Sequence, residues 1–346
     1  MKVLLHGLYL DSKAYADYVS RGFEENVGIR NVSVMVPNIY KRDAEGSRFS
    51  DRLVDIGEID KFDLIVLSYH SLFDTKLTEV LNSNTSATKI YIDQEDNFFI
   101  KNIANHKEIK YYFKRELYQS MSALHKLEWT IRYVYGNYWV TYKGNRHRMK
   151  IKHFISPLFQ PCGYAVQGRN QKVKPFPLAY TPTVKSPPKV NSNRKYDLSL
   201  IANPQNIGER KKVYRFALGL KDSFPESDFL ISKGGYSKEE YLNILADSKS
   251  SVSVRGYGYD TYRYWEIAYH GAMLISQRLP IVIPDNFIDD TSAIFFSRID
   301  ELREKFKKTV VDSNEWQEIA RSAQKRYLKY HTAKARIKNQ ILKYIK

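Results

Sequence analysis

The sequence has almost no cysteine and lacks any long apolar run. Its one cysteine, Cys162, excludes an internal disulfide framework and a cysteine-based zinc site, and it suits a reducing compartment. No stretch approaches the roughly 18 consecutive apolar residues of a membrane span. Asp11 and Lys13 come too early for a signal peptide, so we expect a first β-strand at the N-terminus and a cytoplasmic protein.

Acidic residues are scarce relative to basic ones. The chain has 346 residues, with 55 Lys and Arg against 38 Asp and Glu, which gives a net charge of +17. The basic residues are spread along the whole chain, which argues against a disordered basic arm and indicates a folded basic face. Such a face suits anionic lipid head groups, an acidic glycan or a DNA backbone, although a biased genome would give the same composition.

Buried strands alternate with helices in two series, which predicts an α/β protein with parallel sheets. The first series has strands at residues 2–6, 32–36, 63–69 and 89–92, and the second runs from a strand at 196–201 to one at 272–276. Between the two series, five prolines among the fourteen residues 175–188 indicate a linker. Two such units place a ligand cleft between the carboxyl ends of their sheets.

The resulting organisation is two Rossmann-like domains joined by a linker. We predict an N-terminal domain over 1–174, a linker over 175–193, a C-terminal nucleotide-binding domain over 194–330, and a C-terminal helix over 331–346 that crosses back to the first domain. Residues 108–125 are predicted to be helical. The stretch 129–154 is predicted to form a β-rich, hairpin-like insertion.

The most informative segment is residues 254–276, VRGYGYDTYRYWEIAYHGAMLIS. A loop with Gly256 and Gly258 leads to a helix whose N-cap is predicted at Asp260 or Thr261, and Arg263 and Glu266 lie one helical turn apart. Backbone N–H groups at this helix start, together with a forked cation, suit a nucleotide diphosphate, and a carboxylate suits the ribose hydroxyls. The alternative is an ordinary α/β unit whose Arg and Glu form a surface pair.

This segment resembles the donor-binding motif of the group 1-like glycosyltransferase superfamily, in the branch related to spore-maturation-type and exostosin-like enzymes. The matching positions are Asp260, Arg263, Trp265, Glu266 and Gly271, and the similarity extends over about residues 195 to 335. The resemblance implies a GT-B fold, with two Rossmann-like domains facing each other across a cleft. Many members carry two glutamates separated by seven residues, and here Gly258 replaces the first.

The resemblance also implies which residues bind a nucleotide-sugar. Arg210 and Lys211 fall where relatives place cations against the diphosphate; the alternative is a solvated basic first turn of a helix. The full predicted donor-binding set is Arg210, Lys211, Gly256, Tyr257, Gly258, Asp260, Thr261, Arg263 and Glu266.

A general base is predicted in the first domain, in the segment YIDQEDNFF. Asp93 and Asp96 follow a strand that should end at the cleft, and an acceptor hydroxyl must lose its proton as it attacks the sugar. The alternative is a solvated acidic loop. No metal site is predicted, because the Asp-x-Asp motif of metal-dependent GT-A transferases is absent, as are a Walker A motif and zinc-ligand spacings.

We therefore expect a metal-independent glycosyltransferase, with a nucleotide-sugar as co-substrate and no other cofactor, and a hexose as the transferred sugar. The expected acceptor is an anionic or lipid-linked glycan, with peripheral contact at the inner face of the membrane. One alternative is a DNA glycosyltransferase acting on a hydroxylated base, since the basic stretch 143–152 suits a phosphate backbone. Another is a non-catalytic module that binds nucleotides or glycans.

Overall fold

The protein contains two parallel β-sheets flanked by helices, which confirms the predicted α/β class. The computed structural model describes residues 1–7, 13–36, 47–68, 77–83, 85–94, 100, 102–117, 171–177, 180–182, 186–204, 208–256 and 258–345. We call the part around the first sheet, up to residue 177, the N-terminal half, and the part around the second sheet, from residue 194, the C-terminal half.

The first sheet has six parallel strands in the order β2-β1-β3-β4-β5-β6. Its central strands are apolar along their whole length, VLLH in β1 and LIVL in β3, because helices or loops cover both faces of a parallel sheet. The strands are β1 (Val3–His6), β2 (Val32–Met35), β3 (Leu64–Leu67), β4 (Thr88–Asp93), β5 (Ile109–Lys114) and β6 (Val173–Pro175). The helices are α1 (Lys13–Val27) and α2 (Leu77–Asn82), with short 3-10 turns at Ile29–Asn31, Ser50–Arg52, Ile56–Lys61 and Asn102–Asn105.

The second sheet has five parallel strands in the order β11-β10-β9-β7-β8, so the chain crosses over between β8 and β9. The strands are β7 (Tyr196–Ile201), β8 (Phe229–Ser232), β9 (Ser248–Ser253), β10 (Met273–Gln277) and β11 (Ile294–Phe296). The helices are α3 (Gly208–Ser223), α4 (Lys238–Ala246), α5 (Tyr262–Tyr269), α6 (Glu301–Phe306), α7 (Glu315–Tyr330), α8 (Ala333–Arg336) and α9 (Lys343–Ile345). Two π-helical stretches, Lys307–Val311 and Ile337–Leu342, extend α6 and join α8 to α9.

One sequence-based expectation fails in the N-terminal half. The stretch predicted to be helical over 108–125 contains β5, which pairs in parallel with β4 and with β6. Aromatic residues fill this strand, and Tyr112 and Phe113 are both fully buried, so both faces of the strand are covered. The predicted insertion over 129–154 lies outside the described residues.

The C-terminal helices pack on the N-terminal half. A Cβ on Gly22 in α1 would come within 2.4 Å of Ile337 Cγ1 and 2.7 Å of the Ala333 carbonyl oxygen, so this crossing requires glycine. Buried Arg336 donates from Nη1 to the Pro177 carbonyl at 2.6 Å and lies 4.3 Å from the Trp265 ring. The predicted domain limits and the linker over 175–193 stay predictions; in the structure β6 ends at Pro175 and β7 begins at Tyr196.

A second set of contacts joins the residues after β5 to the C-terminal half. Arg115 Nη2 donates to the Asp260 carbonyl at 2.6 Å, and the Asp260 N–H donates to Glu116 Oε1 at 3.0 Å. The Val282 N–H donates to the Leu117 carbonyl at 2.6 Å. The two bonds of Asp260 position the loop that precedes α5 against the residues that follow β5. In the part of the chain that the structure describes, no helix is long and apolar enough to cross a membrane.

Candidate functional site

A cleft of about 490 Å³ lies beside the carboxyl ends of β8 and β9, the edge of a parallel sheet at which ligands bind. Three cations and one carboxylate contribute to its wall: Arg210, Lys238, Arg263 and Glu266. The remaining lining residues are Tyr236, Ser237, Tyr241, Val254, Thr261 and Tyr262. The excess of positive charge makes the cleft suited to an anionic ligand.

Helix α4 begins at the cleft because its sequence, SKEE, forms a capping box. The Glu240 N–H donates to Ser237 Oγ at 3.2 Å, and the Ser237 N–H donates to Glu240 Oε2 at 2.7 Å. The backbone hydrogen bond with Ser237 lowers the pKa of Glu240. This cap fixes the first turn of α4, from which Lys238 and Tyr241 extend into the cleft.

Glu266 is the buried carboxylate of the site, with 4% of the residue exposed. One carboxylate oxygen contacts the Lys238 ammonium, and the other accepts a hydrogen bond from Tyr241 Oη at 2.8 Å. Burial and the neighbouring charge of Glu266 raise the pKa of Tyr241 well above its usual value, so the phenol stays protonated and donates. Each carboxylate oxygen therefore has one of these partners, and the carboxylate retains acceptor capacity for a ligand.

The two arginines of the cleft are held by different contacts. Arg263, in the first turn of α5, has Nε 3.4 Å from Tyr241 Oη. Arg210, near the start of α3, donates from Nε to the Arg255 carbonyl at 2.9 Å. A Cβ on Gly256 would lie 3.3 Å from Arg210 Nη2, so the glycine leaves room for the close approach of this guanidinium.

The structure brings together four of the predicted donor-binding residues. Arg210, Thr261, Arg263 and Glu266 line the cleft, and Gly256 lies against Arg210. Gly258 is buried and its carbonyl accepts from the Gly256 N–H at 2.9 Å, which closes the loop between them.

The other three predicted residues do not line the cleft or cannot be placed. Lys211 is exposed on α3 and is not part of the cleft wall. Asp260 is buried, accepts from the Trp265 indole N–H at 2.9 Å, and lies 3.8 Å from Arg115 Nε. Its contacts therefore join α5 to the N-terminal half. Tyr257 lies outside the described residues.

Of the two predicted general-base candidates, only Asp93 lies within the described residues, and it is fully buried. Lys114 Nζ lies 3.0 Å from Asp93 Oδ2, and Tyr112 Oη donates to the same oxygen. Buried pairing of this kind fixes the end of β4 against β5, so the contacts favour a structural role for Asp93. Asp96 lies outside the described residues.

The sequence analysis missed Lys238 and Tyr241. They are three residues apart on α4, so both side chains lie on one face of its first turn. The capping-box pattern Ser237-x-x-Glu240, directly after a predicted strand, is a signal that places this turn at the same edge of the sheet as α5. Their contact with Glu266 spans 28 and 25 residues and has no local sequence signature.

Residues 213–342 match the family described as glycosyl transferase-like. A solved glycosyltransferase from Rickettsia africae gives a TM-score of 0.50 at 7% identity, over 99% of this chain and 97% of that one. HepE of Anabaena, solved in complex with UDP, gives 0.49 at 9% identity over 98% of both chains. TarM gives 0.48 at 11% identity over 82% of this chain, which spans 54% of TarM. No curated protein sequence matches the chain at a significant level.

At these identities the similarity to solved structures concerns the fold alone, and the family match is confined to residues 213–342. The match begins inside α3 and includes the cleft helices α4 and α5. Strands β8 to β11 and most of the charged cleft thus belong to the matched region, whereas β7, Arg210 and the first sheet precede it. Residues 213–342 thus match the glycosyl transferase-like family, and the two-sheet fold is similar to that of a solved glycosyltransferase.

Proposed function

We propose that the chain is a glycosyltransferase of the GT-B type that takes its sugar from a nucleotide-sugar bound in the cleft of the C-terminal half. The observation that carries the proposal is one buried carboxylate, Glu266, set among three cations at the carboxyl edge of the second sheet. A nucleotide-sugar has a diphosphate for the cations and ribose hydroxyls for the carboxylate. The cleft therefore matches both polar parts of the donor.

The diphosphate is assigned to Arg210, Arg263 and the start of α5. Thr261, the N-cap residue of α5, lines the cleft, so the positive end of the helix dipole lies beside the proposed diphosphate. Sugar transfer leaves negative charge on the departing nucleoside diphosphate. Fixed guanidinium groups and a helix N-terminus stabilise that charge without a metal ion, which is the route we propose here.

Glu266 is assigned to the ribose. Its position on the floor of the cleft, fixed by α4, allows it to accept from vicinal hydroxyls in a water-poor environment where such bonds discriminate well. The acceptor's proton is assigned to Asp96 as general base, on sequence grounds alone. Asp93 is the less suited of the two acids because it is buried beside Lys114.

The acceptor is proposed to be anionic, with lipid-linked glycans at a membrane surface as the first choice. Residues 319–346 contain nine Lys and Arg and no Asp or Glu. Within this segment Lys325, Lys329, Lys334, Lys338 and Lys343 are exposed. Each basic residue near an anionic membrane contributes about 1 kcal/mol, so this segment supports the preference. Nothing in the described residues favours the DNA alternative, whose basic stretch 143–152 lies outside them.

Binding of a panel of nucleoside diphosphates by calorimetry tests the donor assignment. Glu266→Ala should weaken binding by about 1 to 3 kcal/mol, the cost of a charge-assisted hydrogen bond. Lys211→Ala is the matched control, because Lys211 is exposed on α3 outside the cleft wall, and it should bind like the wild type. Equal binding by wild type and Glu266→Ala would refute the assignment.

The remaining alternative is a non-catalytic module, and a measurement of turnover distinguishes it from an enzyme. An enzyme of this class releases nucleoside diphosphate slowly from its own nucleotide-sugar when water replaces the acceptor. We expect such release from one member of a nucleotide-sugar panel, and its loss in Glu266→Ala. Intact binding with no release from any nucleotide-sugar, in the presence of candidate acceptors, would favour the module.

A further inference from the structure

Both described partners of the Glu266 carboxylate come from one turn of α4. Lys238 and Tyr241 stand three residues apart, and each takes one carboxylate oxygen. The Lys238 side chain is 55% exposed at the mouth of the cleft, whereas the Glu266 side chain is 5% exposed at its floor. The pair thus spans the depth of the cleft.

The hydrogen bonds around Tyr241 have a fixed direction. A guanidinium has no acceptor, so Arg263 Nε can only donate to Tyr241 Oη, at 3.4 Å. An ionised carboxylate has no donor, so the Tyr241 proton points to Glu266. The chain therefore runs from Arg263 through Tyr241 to Glu266, and bonds in such a chain polarise and strengthen one another.

From these contacts we propose that Lys238 and Tyr241 are positioning residues that hold Glu266 as an oriented, ion-paired acceptor, so that the cleft selects ribonucleoside diphosphates over their 2′-deoxy counterparts. The inference rests on the proposed nucleotide-sugar function and adds two residues that determine its specificity. Lys238 supplies the paired cation without which a carboxylate at this depth is costly. Tyr241 sets the orientation of the carboxylate plane.

The selection of ribonucleotides follows from how many acceptor positions of Glu266 remain for the ligand. Its two oxygens have about four acceptor positions, of which Lys238 and Tyr241 each take one. The remaining positions suit two vicinal hydroxyls. A ligand that lacks one hydroxyl leaves a buried, charged acceptor without a donor, and sites of this kind reject such analogues strongly.

The test is the ratio of dissociation constants for each 2′-deoxynucleoside diphosphate and its ribonucleoside parent. We expect a ratio of at least about 10 in the wild type, since the deoxynucleotide leaves a charged acceptor without its hydrogen bond. Tyr241→Phe, which changes only one oxygen atom, should lower the ratio to about 3 or less by releasing the carboxylate. Lys238→Met should do the same, and Lys238→Arg should retain most of the selectivity.

The controls distinguish a positioning role of Lys238 and Tyr241 from a general effect on folding or on nucleotide binding. Lys211→Ala should leave the ratio unchanged, and thermal unfolding should show that each variant is folded. If Tyr241→Phe and Lys238→Met weaken ribo- and deoxyribonucleotides by the same factor, the two residues do not act through Glu266 and the inference is overturned. A wild-type ratio near one also overturns it. Wild-type protein that binds no nucleoside diphosphate at all would instead refute the proposed function.

Discussion

Replacing Asp260 with alanine should destabilise the protein and leave nucleoside diphosphate binding within about threefold of the wild type. Asp260 stands one residue before the N-cap of α5, and a donor-binding role was predicted for it from the sequence. Its carboxylate instead accepts from the Trp265 indole N–H at 2.9 Å and lies 3.8 Å from Arg115 Nε. The residue is 1% exposed, so these contacts lie in a poorly solvated environment.

The expected magnitude follows from these two contacts. Losing a hydrogen bond to a buried charge costs roughly 1.5 to 3 kcal/mol, and leaving one member of a buried ion pair costs roughly 3 to 5 kcal/mol. The lower end applies because Arg115 keeps its bond to the Asp260 carbonyl, at 2.6 Å, which the substitution does not remove. We therefore expect Asp260→Ala to lower the free energy of unfolding by about 3 kcal/mol. Asp260→Asn keeps an acceptor for the indole and should cost about 1 kcal/mol.

Urea unfolding followed by tryptophan fluorescence measures this change. Calorimetry with the best-binding nucleoside diphosphate measures the affinity of the same variants. Glu266→Ala is the reverse control, because it should weaken binding more than it changes the unfolding midpoint. An Asp260→Ala variant with the wild-type unfolding midpoint and more than about tenfold weaker binding would refute the structural role and restore the predicted donor contact.

Two further predictions concern acid stability and membrane contact. Burial, reinforced by the charges of Lys238 and Arg194, lowers the pKa of His270 to about 4 from its ordinary 6.5. The unfolded chain then binds the extra proton, so this contribution to stability is full above pH 6.5 and falls as the pH drops towards 4, by up to about 3 kcal/mol. Urea unfolding at about pH 7.5 and 4.5 should show that His270→Asn loses less stability than the wild type; equal losses would contradict this. For the membrane contact, sedimentation with anionic vesicles should show binding that weakens with salt, and Lys334→Glu combined with Lys338→Glu should reduce it several-fold; binding to neutral vesicles alone would contradict the electrostatic origin.

The sequence predicted the parts of the fold that depend on local patterns. Alternation of buried strands and helices gave the two parallel sheets, and the strand from Tyr196 to Ile201 has the predicted ends. The prediction of a helix over 108–125 was wrong. Strand β5 in this stretch contains a run of aromatic residues and is buried on both faces. Such a run has no periodicity that distinguishes a strand from a buried helix. Local sequence patterns are therefore sufficient to predict the architecture, but they do not distinguish helix from strand in a segment that is buried on both faces.

The candidate site likewise contains residues that local sequence patterns predicted and residues that they did not. Arg263 and Glu266 were found because one helical turn separates them, so a spacing of three residues specifies their common face. Lys238 and Tyr241 were missed because their contacts with Glu266 depend on how β8 and β9 lie relative to each other in the sheet. Helix α4 follows β8 and α5 follows β9, and β7 lies between these two strands in the sheet. No local sequence pattern predicts that the two helices lie side by side.

Helix α5 owes its fixed position to partners on several sides. Residues 264 to 269 are all buried, which is unusual for a helix of eight residues with charged and polar side chains. Asp260, just before it, bonds to the N-terminal half, Glu266 bonds to α4, and His270 at its C-terminus lies 3.4 Å from Tyr180 Oη. Because these partners belong to different parts of the chain, the helix cannot shift without breaking buried polar contacts, each of which is costly to lose. Its N-terminus and Arg263 are thus held at the cleft before any ligand arrives, and groups fixed in advance stabilise developing charge without the cost of reorganisation.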